Sequence, residues 1–260
     1  MQGPVLWDVH DGVLTIELNR VRAMNILDVP TRKRILAILK KHEEDDAVRC
    51  AVIAARGDVF SAGADLNFLF GLRGSRAHSY AKFVRQFLDY VENYPKPTIG
   101  VVNGTAVGGG VELLMAMDII IATPESRFGQ TELKVGLIPG GGGTQRLPRS
   151  IGLRKAKEMV FTGGLISAQE AYEWGLVNRV VPREAILQET EKVCEKLKSM
   201  DPSNLRLAKE LMNKGSSMSL ADALIMESDA YTAVLDSPEA KEAIRGFLKG
   251  NSHRREKKKR

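Results

Sequence analysis

With 260 residues, 43% of them hydrophobic and 27% charged, the chain has enough apolar material for a full core and the make-up of an ordinary globular protein. Its formal charge of +6 is not a broad nucleic-acid footprint, because the last ten residues, NSHRREKKKR, carry a net +5 and leave about +1 for the other 250. No apolar run reaches the roughly 18–20 residues of a membrane span, MQGPVLWDVHDG has no basic segment followed by an apolar one, and Cys50, Cys194 and four scattered histidines offer neither a disulfide framework nor metal-ligand spacing. These features predict a soluble, non-secreted protein.

In chain order, VLWDV (5–9) and VLTIEL (13–18) flank the turn-forming His10-Asp11-Gly12 and predict an antiparallel hairpin. From Asp28 to Glu44, Ile35, Leu36, Ile38 and Leu39 recur among basic residues, the pattern of an amphipathic helix. RCAVIAA (49–55) and TIGVVN (98–103) read as buried strands separated by a helix-rich insertion, roughly 65–93. DIIIAT (118–123) is a further buried strand, and strands alternating with helices predict an α/β fold with parallel pairing. After about residue 182 the pattern is helical, over 184–199, 203–213, 219–235 and 238–249, with breaks at Asp201-Pro202, Gly215 and Ser237-Pro238. The terminal basic run reads as a solvated tail, with RNA or phosphate binding as the second reading.

Two glycine-rich stretches pose a chemical question. GGGGTQR (140–146) lacks the Gly-Lys-Ser/Thr of a P-loop, and NGTAVGGG (103–110) lacks the G-x-G-x-x-G order of a dinucleotide site. What remains is the backbone: glycines at a strand-to-helix junction let a ligand approach main-chain N–H groups, and the first helical turn offers unpaired donors and a positive dipole end. Such a place suits an oxygen that becomes negative. A second candidate donor lies in FSAGADL (60–66), where small residues again precede a helix. Glu112 stands between Val111 and Leu113, where an acid needs a reason, and Glu132 sits beside another glycine-rich segment. Each acid alone could be a helix-start residue. Together they could hold one water, one accepting its proton while the other donates to carbon.

NGTAVGGGVELLMAMDIIIAT followed by FGQTELKVGLIPGGGGTQRLPRSIG resembles the signature of the crotonase superfamily, the enoyl-CoA hydratase/isomerase family. FSAGADL matches that family's first oxyanion segment, and LNRVRAMNIL (18–27) its N-terminal CoA-contacting stretch. The resemblance implies a spiral of β-β-α repeats with a helical C-terminal trimerisation region: a core over 1–200, an oligomerisation region over 201–249, and a basic tail from 250. It implies that the Ala64 and Gly109 amides form an oxyanion hole, with Glu112 activating water and Glu132 delivering a proton. Arg22, Ala23, Met24, Ala62, Asp65, Leu66, Gly108, Pro139 and Gly140 would line the CoA and substrate channel, with the acyl wall coming from the insertion around 68–90. The implied protein is an enoyl-CoA hydratase of fatty acid metabolism acting on acyl-CoA thioesters, a homotrimer or homohexamer, cytoplasmic or, if a processed eukaryotic chain, of the mitochondrial matrix. It would use no cofactor and no metal, coenzyme A being part of the substrate; membrane and nucleic-acid partners are not expected. A double-bond isomerase of the same fold and an RNA-binding protein using the tail are the alternatives. The chain departs from the family at Val21, where Pro is common, and at Gly250, where many relatives carry a CoA-contacting Lys that Lys249 or the tail could replace.

Overall fold

The computed structural model describes residues 3–257, with side chains as far as residue 249. It comprises two compact units that part after Pro202. In the first, β1 (Val5–His10) and β2 (Val13–Leu18) form the expected hairpin, in register from Val5 opposite Leu18 to His10 opposite Val13. Leu14, Ile16 and Leu18 alternate into the core with no more than 1% exposure, the period-2 pattern of a strand with one buried face. Next comes α1 (Val29–Lys41), capped by the Asp28 carboxylate accepting from the Thr31 amide, with Pro30 in the first turn where no N–H is needed.

Three β-β-α turns follow. The first is β3 (Cys50–Ala55), β4 (Val59–Ser61), α2 (Leu66–Phe70) and α3 (Gly74–Glu92). The second is β5 (Thr98–Val102), β6 (Thr105–Val107) and α4 (Gly109–Met115). The third is β7 (Ile119–Ala122), β8 (Arg127–Gly129), α5 (Gly143–Ile151) and α6 (Leu153–Thr162). Then come β9 (Leu165–Ser167), α7 (Ala168–Glu173), β10 (Arg179–Val180) and α8 (Ile186–Lys198).

The first strand of each turn joins a six-stranded sheet of order β1-β2-β3-β5-β7-β10, parallel from β2 onward. The second strand joins a four-stranded sheet, β4-β6-β8-β9, in which only β9 runs antiparallel. Each turn therefore advances one strand along both sheets, which is the expected spiral. The second sheet is a finding beyond the sequence pattern. Its strands are three residues each in segments rich in small residues, and the FSAGADL and NGTAVGGG stretches, expected at strand-to-helix junctions, supply Phe60 and Ser61 of β4 and the whole of β6.

The second unit consists of helices joined by short breaks, as expected: most of α9 (Pro202–Gly215), then α10 (Leu220–Asp236), capped by Ser219, and α11 (Pro238–Lys257). Leu224, Ile225 and Tyr231 on α10 and Ile244, Phe247 and Leu248 on α11 are exposed. The side chains of the basic tail lie outside the described residues. Among those described, no helix is long and apolar enough to cross a membrane.

Candidate active site

Because β4, β6 and β8 are parallel neighbours, their C-terminal ends open on one edge of the small sheet, the edge where ligands of parallel α/β sheets collect. β4 is followed by Ala62-Gly63-Ala64, β6 by Gly108-Gly109, and β8 by Gln130-Thr131-Glu132. The Gly108 N–H donates to the Gly129 carbonyl at 2.9 Å, tying the second junction to the third. Segments far apart in sequence thus meet because consecutive turns of the spiral stack.

Two amides at this edge are turned by left-handed glycines. Gly63 has φ +82° and precedes Ala64; Gly108 has φ +52° and precedes Gly109, the first residue of α4. In both places the positive φ reverses the following peptide, a conformation that costs glycine little. A side-chain carbon at Gly63 would fall 2.9 Å from the Gly109 nitrogen, and one at Gly109 would fall 3.7 Å from the Ala64 nitrogen, so both amides border one small space. The Gly109 N–H, in the first turn of α4, has no intrahelical acceptor. The Gly63–Ala64 peptide is fixed from behind, where the Leu27 N–H donates to the Gly63 carbonyl at 2.7 Å.

Glu112 lies one turn into α4 and is 3% exposed. Its Oε1 accepts hydrogen bonds from the Gly141 and Gly143 amides at 2.7 and 2.9 Å, which explains the third glycine-rich segment: those amides reach the carboxylate only where the backbone comes close. Burial pushes the Glu112 carboxyl above the ordinary range, while the Gly143 and Gly141 amides and the Arg32 and Arg146 charges pull it back. Glu132 starts a 3-10 turn and is half-buried. Its carboxyl is pushed up to about 7, chiefly by burial, with a hydrogen bond from its own amide opposing and the Glu112 charge adding to the rise. Gln130, fully buried, satisfies its surroundings with its amide nitrogen toward Glu132; so turned, it donates to Oε1 and Oε2 at 3.0 and 2.9 Å.

Both acids and both amide segments line one cavity of about 310 Å³. Of the residues singled out in the sequence, Ala62, Ala64, Leu66, Gly108, Gly109, Glu112, Glu132 and Gly140 line it. Its wall includes Leu69, Tyr80, Ala81 and Val84, within the 68–90 insertion, and Leu137 and Ile138. Arg22, Ala23, Met24, Asp65 and Pro139 stand outside this lining. The loop of the first three is held to the site by the Ala62 N–H, which donates to the Met24 carbonyl at 2.9 Å. The Asp65 carboxylate is engaged as the N-cap of α2, accepting from the Asn67 and Phe68 amides at 3.0 and 3.2 Å. Pro139 is buried behind Gly143.

Sequence reasoning missed Gln130 and Arg32. Arg32 is 2% exposed and lines the cavity, yet in the sequence it is one of several basic residues on α1. Its position three before Ile35, on the apolar face, was the signal available.

Comparison with known proteins shows the family and the fold. Residues 8–257 match the enoyl-CoA hydratase/isomerase family. The chain is 35% identical over 245 residues to the crotonyl-CoA hydratase of Syntrophomonas wolfei, covering 94% of each, and 38% identical over 239 residues to the mitochondrial enoyl-CoA hydratase of Pongo abelii, covering 92% of this chain and 82% of that protein. Among solved structures, the enoyl-CoA hydratase of Bacillus anthracis superposes with a TM-score of 0.90 at 37% identity, over 95% of this chain and 97% of that one.

Proposed function

The chain belongs to the enoyl-CoA hydratase/isomerase family, and from that premise we propose that it is an enoyl-CoA hydratase, adding water reversibly across the C2=C3 bond of a 2-enoyl-CoA to give the 3-hydroxyacyl-CoA. The observation that carries the reading is the meeting of two carboxyl groups and two strand-end amides in one cavity.

The thioester oxygen is received by the Ala64 and Gly109 amides, which draw electron density from the alkene and leave C3 electrophilic. Glu112, anchored by two backbone donors, takes a proton from a water whose oxygen bonds to C3. The alkene electrons move onto the thioester oxygen as an enolate held by the two amides. When the enolate collapses, C2 takes the proton carried by Glu132, whose raised pKa keeps that proton available near neutrality. Gln130 then stabilises the carboxylate left behind. Exchange with solvent returns one proton to Glu132 and removes one from Glu112, and dehydration is the same path reversed.

The loop of Arg22, Ala23 and Met24, with Ala62, Asp65 and Leu66, supplies the CoA-side rim, and Gly108, Pro139 and Gly140 shape the channel around the reacting carbons. Coenzyme A enters as part of the substrate, and no cofactor is needed. The helices beyond the core serve oligomerisation, as a homotrimer or a dimer of trimers, and the activity belongs to fatty acid metabolism in the cytoplasm or mitochondrial matrix. A spectrophotometric panel of crotonyl-CoA, longer enoyl-CoAs and 3-methylcrotonyl-CoA tests the reading. Loss of the enoyl-thioester absorbance with formation of 3-hydroxyacyl-CoA is expected; migration of the double bond without hydration would replace it with an isomerase.

A further inference from the structure

Arg32 is a cation in a cavity otherwise lined by apolar side chains, backbone, two acids and the Tyr80 and Thr131 side chains. At 2% exposure it sits in a place where an unpaired charge is costly, so its surroundings are informative. Its Nη1 donates to the Leu27 carbonyl and, at 3.2 Å, to the Tyr80 hydroxyl, both neutral acceptors, and its Nε has no partner. Arg146, the other cation close to Glu112, differs: Asp89 at 3.0 Å and Glu92 at 2.5 Å neutralise it. The positive charge of Arg32 is therefore directed into the site.

Its position relates it to both amides. Leu27, whose carbonyl receives Nη1, donates its own N–H to the Gly63 carbonyl, and that carbonyl belongs to the peptide whose N–H is Ala64's. On the other side, Nη2 lies 3.3 Å from the point a side chain would occupy at Gly109, and the Ala64 nitrogen lies 3.7 Å from the same point. We propose that Arg32 is a positioning residue for the reaction, its cation bracing and electrostatically reinforcing the two amides that receive the thioester oxygen. The inference rests on the hydratase reading. It adds a charged group to a hole otherwise built from neutral donors, where developing negative charge in a water-poor cavity is most sensitive to it. The same cation opposes protonation of Glu112, which is also faced by Arg146, by the Gly141 and Gly143 amides and, with opposite sign, by Glu132.

The test uses Arg32→Lys, which keeps the charge, Arg32→Gln, which keeps a donor without charge, and Arg32→Met, which keeps the stem. The probe is 4-(dimethylamino)cinnamoyl-CoA, a chromophoric enoyl thioester whose absorption moves to longer wavelength as its carbonyl is polarised. Wild type is expected to red-shift the bound probe, Arg32→Lys to keep most of that shift, and Arg32→Gln and Arg32→Met to lose most of it. With crotonyl-CoA, the two neutral variants are expected to lose about 100-fold in kcat with little change in KM, and the acid limb of the kcat/KM profile should move to higher pH. If Arg32→Met does not fold, Arg32→Gln decides the matter. A full red shift and an unaltered pH profile in Arg32→Gln would overturn the inference, as would a loss confined to acyl groups bearing their own carboxylate. Absence of a red shift in wild type would instead count against the hydratase reading itself.

Discussion

Glu132 carries the sharpest consequence at the scale of single residues, because its function and its stability cost have one origin. Its carboxyl titrates near 4.5 in an unfolded chain and near 7 in the folded one. Between those values the folded state binds more protons than the unfolded state, so the stabilisation this group gives at low pH is lost as pH rises through about 7. Glu132→Gln has no such loss. Thermal melts should therefore show the variant gaining on wild type as the buffer goes from pH 5 to pH 8, while its hydration activity falls. Glu112, also raised, is present in both proteins, and removing the Glu132 charge beside it adds to the variant's gain at higher pH. A constant difference in melting temperature across that range would mean that Glu132 is not held in a poorly solvated place.

At the scale of elements, the long pieces were legible and the short ones were not. The hairpin of β1 and β2 and the amphipathic α1 show apolar periodicity, and the buried strands β3, β5 and β7 are unbroken, largely apolar runs of four or more residues. The strands β4, β6 and β8 are three residues each, too short for a period to register, and their stability comes from neighbours in the sheet rather than from their own composition. These are the strands that converge the site, so the residue pattern alone pointed to its acids and glycines, while the expectation that they meet leaned on the family resemblance. Arg32 was hidden differently: among Lys33, Arg34, Lys40 and Lys41 a single inward-facing base looks like part of a solvated face. The β4-to-α2 junction offers a direct check. Gly63→Ala places a methyl 2.9 Å from the Gly109 nitrogen and 3.0 Å from the Val107 carbonyl at a φ that disfavours alanine. If the Gly109 amide is the proposed oxyanion donor, displacing it in this way is expected to lower kcat by about 100- to 1,000-fold without touching either acid. Steady-state kinetics at an unchanged circular-dichroism spectrum would record it, and a near-normal kcat would show that the junction tolerates movement.

For the whole molecule, the helices beyond Pro202 present apolar side chains that their own unit leaves uncovered. Ile225, Tyr231 and Phe247 are 62%, 65% and 71% exposed, and patches of this kind commonly mark interfaces between copies of a chain. Sedimentation equilibrium is expected to give a trimer or hexamer mass. Ile225→Asp, which would place an unpaired charge in the contact at a cost on the order of several kcal/mol, should shift the mass toward the monomer. A monomeric wild type would remove the oligomerisation role from these helices.

Hydration by two acids sharing one water beside a polarised alkene is tested most directly by the steady-state hydration of crotonyl-CoA by Glu112→Gln and Glu132→Gln. Each variant is expected to bind substrate with KM near that of wild type and to lose about 100- to 10,000-fold in kcat, as removal of a general base or general acid requires. Either variant hydrating crotonyl-CoA at close to the wild-type rate would contradict it.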